Sequence, residues 1–426
     1  MSIFFDSLYV VVALFYLPVL FVRGKWPRHL SRRFGKFPDE LQGRLAGRHA
    51  IWFHAVSVGE VMAVLGLIRA VKDDFPDEPI VLTTVTPTGY QLARGRVGAG
   101  VEVIYAPLDF SAVVRRYIRA FRPQMYITAE TEIWPNLFCA LEREGVDIVV
   151  VNGRLSAKSF RRYRRIGFLF KRIIRDVHAF CMQTEADAAK IKSLGAPAER
   201  VFVLGNMKFD RPARMATREA PAIGLTGSEK VWIAGSTHPG EEAIVLDAYR
   251  RLNADFSDLR LILAPRHVER TQEIAALVQQ NGIAPRLFSQ KETRAFKSHE
   301  VLIVDTIGDL RTLYHLATVV FIGKSLIGQG GQNILEPVFF GKPVIVGPFM
   351  QNFRQITELL GQAGGIIQIN DARDLLPAVR KLLESPHHAA DLGARALRVV
   401  HEHQGATEKT RQIISQRLGN SPIEQG

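Results

Sequence analysis

Past residue 48 the chain alternates short apolar, β-branched runs with longer stretches whose apolar residues recur at three- and four-residue spacing. Runs at 49–54, 80–84, 101–105, 124–128 and 147–151 read as strands, and an amphipathic segment follows each. A second series begins at 231–234 and continues at 259–264, 301–304, 319–322, 343–346 and 365–369. Strands that are apolar throughout, joined by helical crossovers, belong in parallel sheets covered on both faces. Between the series lies RPARMATREAPAIGLTGS, residues 211–228, which has no period and reads as an interdomain linker. The pattern therefore predicts an α/β protein with two doubly wound domains, 49–210 and 229–385. A ligand cleft is expected between them, because such sheets bind ligands at the carboxyl ends of their strands. Residues 386–426 read as helices that pack back across both domains.

The first residues follow another pattern. IFFDSLYVVVALFYLPVLFV, residues 3–22, is almost continuously apolar, interrupted by Asp6 and Pro18, and has about the length that spans a bilayer. A cleaved signal peptide has basic residues before its apolar run and a small-residue cleavage site after it; here the bases come after and the cleavage site is missing. Residues 1–22 thus read as a retained membrane anchor and 23–48 as a basic juxtamembrane segment. The positive-inside rule then places the remaining chain in the cytoplasm. The competing reading is a buried hydrophobic hairpin of the first domain.

Composition narrows the class. With 426 residues, two cores of ordinary size fit better than one. Hydrophobic residues at 47% and charged residues at 23% exclude a disordered, collagenous or polytopic membrane chain. The formal charge of +13 is local: Arg23, Lys25, Arg28, Arg32, Arg33 and Lys36 form one acid-free patch. Arg154, Lys158, Arg161, Arg162, Arg164, Arg165, Lys171, Arg172 and Arg175 form another, so the rest of the chain is slightly acidic. In the second patch Phe160, Tyr163, Phe168, Leu169, Phe170, Ile173 and Ile174 are interleaved with the bases. An amphipathic basic and aromatic helix suits a membrane surface, the alternative being an ordinary surface helix with a solvated face. Cys139 and Cys181 cannot form a disulfide framework or a metal site, and read as buried thiols of a reducing compartment.

Four strand-to-helix junctions hold candidate chemistry. After the first strand, Ser57 and Glu60 have the spacing of a capping box, and Glu60 equally suits a general base that takes a proton from an acceptor hydroxyl. After the fourth, Glu130 and Glu132 stand two apart; at most one of them is expected to face the cleft, and a helix-capping reading would use both. In the second domain a strand ends in Arg266-His267, a forked donor suited to phosphate or else a surface charge pair. The fourth junction is Gly330-Gly331-Gln332-Asn333-Ile334-Leu335-Glu336. It reads as a glycine pair opening a helix N-terminus that favours an anion, with Glu336 placed to accept from a ribose diol. It is neither GxGxxG nor a P-loop.

Together these motifs resemble those of the 3-deoxy-D-manno-octulosonic acid (Kdo) transferases of lipopolysaccharide assembly. The resemblance rests on S-V-G-E at 57–60, T-P-T-G at 86–89, E-T-E-I-W-P-N at 130–136, N-x-R-L-S at 152–156 and K-F-D at 208–210. S-T-H-x-G-E-E at 236–242, P-R-H at 265–267 and G-G-x-N-x-L-E at 330–336 continue it in the same order. It implies two Rossmann-like domains of the GT-B class with an N-terminal membrane anchor, on the cytoplasmic side of a bacterial inner membrane. It also implies transfer of Kdo from a CMP-Kdo donor to a lipid A precursor, lipid IVA, without nucleic acid or cofactor. In that family the glutamate of S-V-G-E is the base, here Glu60, while Glu130 and Lys208 take transition-state roles. The CMP pocket falls on Arg266 and His267, on Gly308, Asp309 and Leu310, and on Gly330, Gly331, Asn333, Ile334, Leu335 and Glu336.

The chain departs from the family pattern at Gln332 and Ile334, where His and Pro are usual, and at Lys324, where a small residue is usual. No DxD-like metal pair sits at a matching strand end, so a helix dipole with Arg266 and Lys208 is expected to offset the leaving nucleotide's charge without metal. Two other readings stay open. One is another GT-B nucleotide-sugar enzyme, a UDP-sugar transferase or epimerase; the other is a non-enzymatic membrane-tethered lipid binder.

Overall fold

A computed structural model describes residues 4–11, 14, 30–210, 221–292, 294–328 and 330–420. The chain divides into two compact units, one formed by Met1–Asp210 with Gln404–Gly426 and the other by Arg211–His403.

The first unit contains β1 (Ile51–His54), β2 (Ile80–Thr84), β3 (Val101–Tyr105), β4 (Met125–Ala129), β5 (Asp147–Gly153), β6 (Ala179–Met182) and β7 (Val201–Val203). They form one sheet in the order β3-β2-β1-β4-β5-β6-β7, parallel at every pairing. Side chains of β1 show why both faces need cover. Trp52 joins a cluster with Tyr117, Phe121, Tyr126 and Phe138, whereas Ile51 and Phe53 join another with Val64, Leu67 and Ile68 from the helix Val58–Asp74. Alternation puts consecutive residues on opposite faces, and helices bury both.

The second unit repeats the plan with β8 (Lys230–Thr237), β9 (Leu259–Pro265), β10 (Ala284–Leu287), β11 (Glu300–Ile303), β12 (Val319–Ile322), β13 (Val344–Val346) and β14 (Ile367–Gln368). Their order is β10-β11-β9-β8-β12-β13-β14, again parallel throughout. Three of these fourteen strands, β6, β7 and β10, carry no expectation from the sequence pattern. They are short, β7 and β10 are sheet edges, and APRL in β10 lacks the β-branched signature altogether.

The C-terminal helices separate. Pro386–Glu402 stays in the second unit, while Ala406–Asn420 belongs to the first. There Ala406, Ile414 and Leu418 enter the core, and Arg411 and Ser415 each reach Asp74 at 2.6 Å. Asp210, the last residue of K-F-D, accepts the N–H groups of Gly405 and Thr407, both at 2.6 Å, and so anchors the start of that helix.

The expected anchor lies mostly outside the described residues. Among those described, no helix is long and apolar enough to cross a membrane. Residues 4–11 are helical and held by the first unit: Phe5 is buried, and Tyr9 donates to Asp109 at 2.9 Å. Asp6, which merely interrupts the apolar run in the sequence, accepts the N–H of Ser111 (2.9 Å) and Asn136 Nδ2 (2.9 Å). It supplies the cap that the N-cap residue Phe110 cannot give to the helix Ser111–Phe121. The start of the run therefore serves the protein fold. The basic segment behind it is also partly committed: Arg33 donates to the carbonyls of Ala106 and Pro107 and lies over the Trp134 ring at 5.8 Å.

The second basic patch is two helices, Ala157–Arg165 and Gly167–Ile174, broken at Ile166-Gly167. Phe170, Ile173 and Ile174 are buried, and Tyr163 stacks on Phe170 at 4.2 Å, so most of the interleaved apolar residues serve the core. Phe168 is the exception, 86% exposed among the arginines. Both cysteines are buried and free, as the sequence suggested.

Candidate active site

Each sheet reverses its strand order once, between β1 and β4 in the first and between β8 and β12 in the second. Ligands of doubly wound sheets bind at the carboxyl ends flanking that reversal. Six non-glycine residues have positive φ among the described residues. Four of them, Glu130 (53°), Asn152 (52°), Ser236 (56°) and Lys324 (57°), lie at or near the carboxyl ends of β4, β5, β8 and β12. Strain of this kind concentrates at functional sites.

Glu60 combines both of its expected readings. Ser57, in extended backbone, caps the helix Val58–Asp74; its hydroxyl accepts the Glu60 N–H at 3.4 Å and donates to Oε1 at 2.8 Å. The Val56 N–H donates to Oε2 at 2.7 Å. The capping box is therefore present. The same carboxyl is only 7% exposed, and burial pushes its pKa up to about 7. The Val56 and Ser57 bonds oppose that rise, and the negative charges of Glu130 and Glu132 reinforce it. A carboxylate poised near neutrality suits proton abstraction.

Glu130 and Glu132 do not fill the helix-capping role that the sequence offered for them. β4 ends at Ala129 and Glu130 makes a left-handed turn, so both glutamates lie beyond the strand; the negative charges of both act on Glu60. Neither caps the following helix, Pro135–Arg143. Asp109 does so instead, accepting the N–H of Asn136 at 3.1 Å and of Leu137 at 2.8 Å. Burial raises the Glu132 carboxyl, with Trp134 Nε1–H opposing and Glu130 adding to the rise.

Lys208 completes the cluster. It sits on the turn Met207–Phe209, whose backbone is held by two side chains: Asn206 accepts the Lys208 N–H (3.0 Å) and Asn152 accepts the Met207 N–H (3.1 Å). Gln183 in turn donates to the Asn152 carbonyl at 2.9 Å. Burial lowers the Lys208 ammonium pKa; Glu130 and Glu60 pull it back up, and Arg154 works against them. Glu60, Glu130 and Lys208 are thus brought into one electrostatic cluster, joined by Glu132 and Arg154, to which the resemblance assigned no catalytic role.

In the second unit S-T-H-x-G-E-E is a scaffold. Glu241 is fully buried and its two oxygens accept four backbone N–H groups, from His238 (3.0 Å), Lys324 (2.7 Å), Ser325 (3.0 Å) and Leu326 (3.0 Å). Glu242, also buried, accepts from Thr237 (2.9 Å) and Arg270 (2.8 Å). Arg266 and His267 follow β9 with exposed side chains, and the His267 ring lies edge-on to His238 at 5.8 Å.

The remaining donor-site candidates meet through Arg311. Gly308 has φ 100°, and Asp309 precedes the short helix Leu310–Leu313 without capping it through its side chain. From that helix Arg311 Nε reaches Glu336 Oε1 at 2.7 Å, and Asn333 Nδ2 reaches the same oxygen at 3.3 Å. Asn333 Oδ1 accepts the Leu335 N–H at 3.1 Å, while Ile334 and Leu335 are buried.

The glycine pair needs correction. Its helix begins only at Leu335 and runs four residues to Val338, so Gly330 and Gly331 do not open it. The Gly330 N–H is taken by Gln351 at 2.8 Å and that of Gly331 by the Lys324 carbonyl at 3.0 Å. These glycines permit close packing instead: a Cβ at Gly330 would stand 2.6 Å from Asn352 Nδ2, and one at Gly331 would overlap Met350 Sδ.

A family model described as 3-Deoxy-D-manno-octulosonic-acid transferase (kdotransferase) matches residues 28–211. The 3-deoxy-D-manno-octulosonic acid transferase of Haemophilus influenzae is 31% identical over 421 residues, covering 96% of this chain and 97% of the relative. The chain belongs to the Kdo transferase family. It is accordingly a glycosyltransferase. The Chlamydophila psittaci Kdo transferase is likewise 31% identical, over 92% of this chain and 89% of its own. The S. aureus MnaA–UDP structure is similar in fold at a TM-score of 0.56, with 16% identity across 87% of this chain and 97% of that one. For a Kdo transferase the residue missed most plainly by sequence reasoning is Arg311; its only signal is a cation directly after Gly308-Asp309-Leu310.

Proposed function

We propose that this Kdo transferase moves Kdo from CMP-Kdo to a hydroxyl of a phosphorylated, acylated lipid A precursor, lipid IVA, with Glu60 as general base. The observation that carries the reading is the Glu60 carboxyl, buried, facing two like charges and pushed up to about 7. Ionised Glu60 takes the proton of the acceptor hydroxyl, the freed oxygen bonds to the anomeric carbon of Kdo, and the bond from that carbon to the cytidylate phosphate breaks. Lys208, with Glu130 beside it, offers a cation for negative charge on the donor. In the second unit Arg266 and His267 face the phosphate, and Glu336, oriented by Arg311 and Asn333, accepts from the ribose. The acceptor being a lipid, the enzyme works at the cytoplasmic face of an inner membrane. Exposed Phe168 among the arginines and the apolar N-terminal segment support that placement.

Mass spectrometry of lipid IVA incubated with CMP-Kdo and with UDP-sugars tests the reaction. Product carrying Kdo is expected with CMP-Kdo alone and persists in EDTA; turnover of UDP-sugars only would overturn the proposal. The Glu60→Gln variant is expected to bind lipid but form product about 10²–10⁴-fold more slowly.

A further inference from the structure

Away from Glu60, the first unit has a hollow of about 710 Å³ against the outer edge of β3. An adjoining hollow of about 560 Å³ shares four of its residues, Arg32, Tyr90, Arg94 and Tyr105. The shared wall is built: Tyr90 and Tyr105 stack at 4.3 Å with planes 9° apart, and the Arg94 guanidinium lies 6.0 Å over the Tyr90 ring. Arg32, Arg94 and Lys36 line the space, and among the described residues none of them forms an ion pair. Of the two acids there, Glu102 is neutralised by a two-pronged bond from Arg44 at 2.6 and 3.2 Å, leaving Glu40 against three cations. The rest of the lining is largely apolar, with Phe37, Leu41, Val97 and β3. β3, the edge strand on this side of the sheet, is not fully covered: Val101, Val103 and Ile104 stay partly exposed, whereas β2, β1 and β4 next to it in order are buried end to end. Cations at the mouth and an uncovered apolar strand behind them fit an anion carried on an apolar chain.

The hollow also lies on the catalytic rim. Tyr105 pairs with Thr84 of β2, and Thr83 pairs with His54 of β1, the strand that leads into Glu60. Two strand spacings, about 10 Å, separate the Tyr105 end of β3 from that of β1. We propose that this hollow is a specificity subsite for the acceptor, with Arg32, Lys36 and Arg94 holding an anionic phosphate and the β3 wall taking part of an acyl chain. It deepens the acceptor reading given above and rests on it.

The full-length protein is titrated with n-dodecyl phosphate, inorganic phosphate and n-dodecyl maltoside. Dodecyl phosphate is expected to bind at least roughly ten-fold more tightly than either of the others. The double variant Arg32→Glu/Arg94→Glu, on exposed positions that leave the core intact, is expected to weaken it by roughly a hundred-fold. It should also raise KM for the glycolipid acceptor while leaving KM for CMP-Kdo unaltered. A second variant, Val103→Gln, is expected to weaken dodecyl phosphate but not inorganic phosphate. Unchanged dodecyl phosphate binding in the double variant overturns the proposal. So does an unchanged acceptor KM with weakened binding to phosphatidylglycerol vesicles, which would make bulk lipid the occupant, or a dimer in sedimentation whose interface covers the hollow. If the wild type forms no Kdo product the functional reading falls, whereas the dodecyl phosphate titration still decides the site.

Discussion

The two units each put a buried glutamate in the first turn of the helix that follows their first strand, Glu60 in one and Glu241 in the other. Local position and burial are nearly the same, yet the chemistry is not. Four backbone N–H groups converge on Glu241, so its charge is spent on holding the loop from Lys324 to Leu326. Glu60 has two donors, Val56 and Ser57, and two carboxylates facing it. Burial raises the Glu60 carboxyl because its two donors are too few to offset it, and the nearby like charges add to the rise.

That contrast can be broken most directly at Glu60. Exchange to Gln is expected to lower the Kdo transfer rate by about 10²–10⁴-fold, the range of general-base catalysis, measured with saturating CMP-Kdo. Its stability should move the other way at high pH. Because the folded pKa of Glu60 is raised, its favourable contribution holds below the ordinary carboxylate range and is lost as pH rises through about 7. The variant should therefore melt no lower than wild type at pH 8. A markedly lower melting temperature would mean that Glu60 is a scaffold like its counterpart.

Glu241→Ala is the converse test. It strands four buried N–H groups and is expected to cost about 3–5 kcal/mol in chemical denaturation, with donor binding lost only as the second unit unfolds. A fully stable variant would contradict the scaffold role. Arg311→Ala should raise KM for CMP-Kdo by roughly ten-fold and leave acceptor KM alone, because Glu336 loses the cation that orients it. The finest effect concerns the pH profile. kcat/KM should climb through about pH 7 in the wild type as Glu60 ionises. Glu132→Gln removes a negative neighbour and should shift that limb to lower pH; a shift to higher pH would show that Glu132 acts on Glu60 in some other way.

Much of this was legible in advance. Buried parallel strands are apolar along most of their length, so β1, β2, β4, β5, β9 and β12 stand out from the sequence within a residue or two, and β8 within three. The edge strands β7 and β10 do not, because half of each is exempt from burial; Phe202 and Val203 are each 37% exposed. At the site, Glu60, Glu130 and Lys208 were readable as motif members. The expectation that Glu130 and Glu132 cap the next helix fails because Asp109, more than twenty residues earlier in the chain, takes those N–H groups. The glycine pair was misplaced because periodicity cannot separate a helix opening at Gly330 from one opening at Leu335. Arg311 and Asp6 were invisible as partners, since their contacts lie 25 and more than 100 residues away.

Residue order alone settled the family, the doubly wound sheets and the kinds of side chain available at each strand end, because burial period and motif spacing are local properties of a chain. Only the folded unit decided which carboxylate is starved of donors and which is saturated. Desolvation and charge depend on what the other elements bring within a few ångströms, and neighbours of that sort are written nowhere in the spacing of the residues themselves.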